Sequence, residues 1–166
     1  MSINPGHVDE KGNINGAGKV AIIEGLALLQ LAIRRNNFEK GWRAETPVGE
    51  TKRVVSEHTM LLTTEIAEIY EAYRTGEPEL WYQHDVKTNG VPRKSGPDDG
   101  FADQVFLHSD NGDVLGKPQG MVSELADVII RALDFADEYG FELIETILEK
   151  HDYNLTRPYR HGNKLA

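Results

Sequence analysis

Residues 51–75 have the apolar spacing of a helix, yet two carboxylates fall on the apolar side. On a helical projection Glu65 and Glu68 share a side with Leu61, Leu62, Ile69 and Ala72. A carboxylate on a face that must be buried has to be paired, hydrogen-bonded or bound to a cation, because stranding it costs several kcal/mol or forces protonation. Any fold of this chain has to meet that demand.

The same spacing recurs downstream. Glu124 and Asp127 lie in a second amphipathic stretch, 121–138, whose apolar arc is Met121, Val122, Leu125, Val128, Ile129, Ala132, Leu133 and Ala136. Glu124 sits at the edge of that arc, and Asp127 lies further out beside Arg131, Asp134 and Glu138, with Arg131 placed to pair with it at i+4. Positions i and i+3 are about 60° apart around a helix, so each pair projects two carboxylates in one direction. Either pair alone is also what an ordinary charged helix face looks like. Two pairs, one of them on an apolar face, point instead to a hard divalent cation. The expected ion is Mg²⁺, with Mn²⁺ as substitute, since Mg²⁺ takes a few carboxylates, keeps waters and bridges to phosphate oxygens.

Helical periodicity predicts four helices, over 18–36, 51–75, 121–138 and 141–153, making the chain all-α. Arg34 and Arg35 suit the C-terminal end of the first, and Gly76 with Pro78 stops the second. Residues 1–17 read as a mobile lead-in and 37–50 as a loop. Between the second and third helices, 76–119 holds Pro78, Pro92, Pro97 and Pro118 with six Gly, which excludes a long helix. That stretch reads as an insertion with a β-hairpin, Gln104–Ser109 and Asp113–Gly116 flanking the turn at Asn111-Gly112. The tail 155–166 is basic, and Lys150, Arg157, Arg160 and Lys164, with Asn154 and His161 between them, form a candidate anion-binding set.

A length of 166 residues fits a single domain, 1–166, with a real core. The net charge of −9 argues against a broad nucleic-acid-binding surface. The absence of Cys removes disulfides, thiolate nucleophiles and cysteine zinc sites. The start lacks the basic and apolar regions of a secretion signal. Val20 to Ile33, the longest apolar segment, is interrupted by Glu24 and Gln30 and is too short to span a bilayer. A cytoplasmic protein without a membrane partner is expected. The stretch 12–20 imitates a phosphate-binding loop but has the wrong glycine spacing and Val20 where Ser or Thr is needed. The acidic turn at 109–113 lacks the alternating ligands of a calcium loop. His58 lies two turns before Glu65 on the same face, where it reads as a packed histidine or as a lining residue.

Glu65-Ile66-Ala67-Glu68, then Glu124-Leu125-Ala126-Asp127, then Lys150 and Asn154 leading to Arg157 resembles the MazG-like all-α nucleoside triphosphate pyrophosphohydrolases over about 51–75 and 120–164. The resemblance implies a four-helix bundle-like MazG fold. It makes Glu65, Glu68, Glu124 and Asp127 the catalytic Mg²⁺ ligands, and gives Lys150, Asn154, Arg157, Arg160 and Lys164 to the substrate phosphates. It implies hydrolysis of a nucleoside triphosphate to the monophosphate and pyrophosphate in nucleotide-pool house-cleaning, by a homodimer or homotetramer. A deoxyuridine nucleotide or phosphoribosyl-ATP are alternative substrates, and a non-catalytic helical oligomerisation or regulatory module is the alternative from another class. The chain departs from the family pattern at Thr64, where members often carry a further Glu, and in the length of the 76–119 insertion.

Overall fold

The computed structural model describes residues 5–43, 53–84, 93–95 and 117–158, and for 5, 82–84 and 93–95 the backbone alone. Its dominant elements are four helices, α1 (Gly16–Glu39), α2 (Val55–Thr75), α3 (Met121–Tyr139) and α4 (Leu143–Leu155). Three short strands, β1 (Trp81–His84), β2 (Arg93–Ser95) and β3 (Lys117–Gln119), form an antiparallel sheet in the order β2-β1-β3. The chain is thus predominantly helical, with its small sheet inside the 76–119 stretch. The hairpin expected over 104–116 lies outside the described residues.

The chain divides into two compact units, 1–52 with 133–166, and 53–132, the division falling within α3. In the first unit, Ile33 of α1, Leu133 of α3 and Ile144 of α4 are buried against one another, flanked by Ile23, Leu26 and Leu143. The lead-in is not featureless: Pro5–His7 form a short 3-10 helix, and Val8 bridges Ile14. Asn15 caps α1 by accepting from the Gly18 amide at 2.8 Å. Lys19, the would-be phosphate-loop lysine, instead lies on α1 and pairs with Asp152 of α4 at 2.5 Å.

Two expectations for this unit need correction. Helix α1 does not stop at 36 but continues to Glu39. Arg34 is therefore not a terminal cation; it lies 3.6 Å from Asp137 and over the ring of Phe38. Second, Asp134 and Glu138, placed by periodicity on the outer side of α3, are buried at 7% and 3% exposure. The reason for Asp134 is Arg43, just beyond α1, whose buried guanidinium bonds both Asp134 (3.2 Å) and Asp137 (2.7 Å), while Asn37 donates to Asp134 at 2.8 Å. At 24 residues, α1 is also long and apolar enough to cross a membrane by length and composition alone, a property the shorter Val20–Ile33 segment did not suggest.

In the second unit, α2 starts at Val55, later than expected, with the Glu57 carboxylate accepting from the Val54 amide at 3.1 Å. It ends where predicted. Gly76 adopts a left-handed conformation (φ 69°), and the Glu77 amide reaches back to the Ala72 carbonyl at 3.0 Å. The next residues cross the start of α3: the Val122 amide donates to the Glu79 carbonyl at 3.0 Å. A Cβ on Gly120 (φ 93°) would come within 2.4 Å of the Pro78 carbonyl oxygen, so only glycine allows this crossing. Because β1 and β3 pair directly on the far side of it, α3 enters beside the end of α2 and runs back along it.

Candidate metal centre

Antiparallel packing of α2 and α3 in the second unit decides which carboxylates meet. Glu68, near the end of α2, lies beside Glu124 in the first turn of α3, while Glu65, one turn earlier, meets Arg131, two turns later. One oxygen each of Glu65, Glu68 and Glu124 lie within 4.8 Å of one another. Glu65 is buried, Glu124 partly buried and Glu68 exposed. The demand posed by a carboxylate on an apolar face is therefore met in part by Arg131, whose Nε donates to Glu65 Oε1. The i+4 pairing with Asp127 expected for Arg131 is replaced by this one, because Glu65 is the more buried partner.

Asp127 lies outside the close trio but inside its field. Its carboxyl titrates above the ordinary 3.8, chiefly because burial penalises the charged form and then because Glu65 repels it, with Arg131 and Lys117 pulling the other way. Glu124 is likewise held above 4.5 by burial, then by repulsion from Glu68, Asp127 and Glu65, against Lys117. Lys117, at the end of the insertion, is a neighbour that sequence patterns gave no means of finding. His58 is also buried on α2, one heptad before Glu65.

The donor set suits a hard cation. Oxygens on opposite sides of a Mg²⁺ ion are about 4.2 Å apart at ordinary bond lengths, so a separation of up to 4.8 Å closes with a small rotation of the exposed Glu68. Crowded carboxylates with raised pKa values are what a divalent ion relieves.

That crowding carries a pH prediction. Between the ordinary and the raised pKa values the folded chain binds more protons than the unfolded chain, so Glu124 and Asp127 lower stability as pH rises through that window. Mg²⁺ bound to the ionised carboxylates should offset the loss. Melting curves with Mg²⁺ and with EDTA, from about pH 4 to about pH 8, should diverge as pH rises. Curves separated by a constant gap would mean that the ion does not engage these groups.

The expected phosphate contacts lie in the first unit. Lys150 and Asn154 are exposed on α4, and Arg157 follows it. Lys150 and Asn154, spaced i and i+4, share a side of α4, and the Tyr153 ring lies close to both cations, 5.4 Å from Lys150 Nζ and 5.9 Å from the Arg157 guanidinium carbon. Arg160 and Lys164 lie outside the described residues. Comparison with protein-family models, curated proteins and solved structures finds no match to this chain.

Proposed function

We propose that the chain is a Mg²⁺-dependent nucleoside triphosphate pyrophosphohydrolase of the MazG-like kind, with a bundle-like helical core. The observation that carries the reading is the convergence of Glu65, Glu68 and Glu124 from two helices on a space the size of one ion. Asp127 completes the set as the fourth carboxylate. Bound Mg²⁺ would supply charge neutralisation of the triphosphate and activation of water.

The chain's own residues then do the following. Glu65, anchored by burial, fixes one side of the site. Exposed Glu68 closes on the opposite side. Water attacks the α-phosphorus, the bond to the α–β bridging oxygen breaks, and pyrophosphate leaves. The proton of that water passes to one of the carboxylates, acting as general base. Lys150, Asn154, Arg157, Arg160 and Lys164 enter as phosphate ligands through the sequence resemblance alone.

A homodimer or homotetramer is part of the proposal, and it rests on an inversion of helix faces. In the second unit Val122, Leu125 and Ile129 of α3 and Met60, Ile66, Tyr70 and Tyr73 of α2 are exposed, while the charged side of α3 meets the side of α2 that carries Glu65. The arc expected to form the core in this part of α3 is thus its outer face, which a second copy of the chain would cover.

The test combines both parts. Protein whose mass has been fixed by light scattering is assayed for pyrophosphate release from a panel of canonical and modified nucleoside triphosphates, with Mg²⁺ and with EDTA. Release that requires Mg²⁺, from a species larger than one chain, is expected. No release from any triphosphate would remove the enzymatic reading and leave the non-catalytic helical module. A monomeric mass would remove the assembly.

A further inference from the structure

Arg131 is a cation that the fold itself places among the carboxylates. It stands one turn beyond Asp127 and two beyond Glu124 on the same side of α3, and its guanidinium bonds Glu65, one of the three converging acids. The partners differ in freedom. The Glu65 side chain is 5% exposed and fixed in place, whereas that of Arg131 is 31% exposed and has a path into solvent. A carboxylate offers about four lone-pair positions, but a guanidinium occupying one oxygen opposes a second cation by like-charge repulsion.

We propose that Arg131 is an exchangeable counter-cation of the acidic cluster, competing with the divalent ion for Glu65 and so setting how tightly that ion is held. The inference rests on the metal-binding reading above and adds to it a residue that is neither ligand nor base. It also gives the buried Glu65 carboxyl a partner whenever the divalent ion is away. The sign of the effect separates competition from scaffolding. A residue that merely shapes the site would, on removal, loosen the ion; a competitor, on removal, tightens it.

Mn²⁺ binding to the full chain, followed by electron paramagnetic resonance at a pH above neutrality, provides the test. Arg131→Gln should bind Mn²⁺ about fivefold more tightly than wild type, the scale of one partly exposed ion pair. Arg131→Lys, which keeps the charge, should stay near wild type. Because Arg131→Gln strands the Glu65 carboxylate, its melting temperature without ion should fall, and the rise on adding Mn²⁺ should exceed that of wild type. Unchanged or weaker Mn²⁺ binding in Arg131→Gln, with wild type binding normally, overturns the role of Arg131 alone. Failure of wild type itself to bind Mn²⁺ overturns the metal reading and this inference with it.

Discussion

Glu65→Gln is expected to reduce Mg²⁺-dependent pyrophosphate release by at least about 100-fold, since loss even of groups supporting a metal ligand costs about 10- to 100-fold. The change keeps side-chain size and removes one charge from the set of acids that converge from α2 and α3. It should not unfold the chain, for Arg131 is partly exposed and can turn to Asp127 one turn back on its own helix. Exposed Glu24 of α1 provides the control: Glu24→Gln removes the same charge elsewhere and should leave turnover unchanged. Circular dichroism confirms folding in each variant. A folded Glu65→Gln protein with full activity would exclude Glu65 as a metal ligand. Loss of Mg²⁺-induced stabilisation should accompany loss of activity, because one carboxylate serves both.

The positions of the helices were legible because their stop signals are local chemistry. Gly76 and Gly140, both with positive φ, end α2 and α3 where a residue without Cβ is favoured. Register around the helix axis was less legible. Periodicity identifies an apolar arc but does not say which side meets another helix, and in the first half of α3 the charged side does, because its partner on α2 is Glu65 rather than a leucine. The choice between Glu65 and Asp127 as partner of Arg131 was likewise beyond local spacing, since one lies a turn away and the other 66 residues away. Glu65 itself was legible as buried because it shares a side with Ala72 and Leu61.

The same limit applies to Arg43, which sat in a stretch without period and was given no role. Its side chain is 2% exposed and bridges Asp134 and Asp137, and its guanidinium carbon lies 5.3 Å from the centre of the Phe38 ring. Arg43→Ala should lower stability by about 3–5 kcal/mol, because removing one member of a buried pair leaves the other charge stranded. Asp137 retains Arg34 at 3.6 Å, and Asp134 retains the Asn37 amide at 2.8 Å. A second variant separates stranded charge from lost packing. Arg43→Met with Asp134→Leu removes both charges at similar volume, and it should recover most of the stability. Among the described residues the buried Nε and Nη2 of Arg43 have no hydrogen-bond partner, so the native pair is itself imperfectly compensated there. Urea unfolding measures both variants. A loss below about 1 kcal/mol for Arg43→Ala, the range of an exposed pair, would contradict burial of this bridge. A double variant no more stable than Arg43→Ala would assign the loss to packing against Phe38 instead of charge.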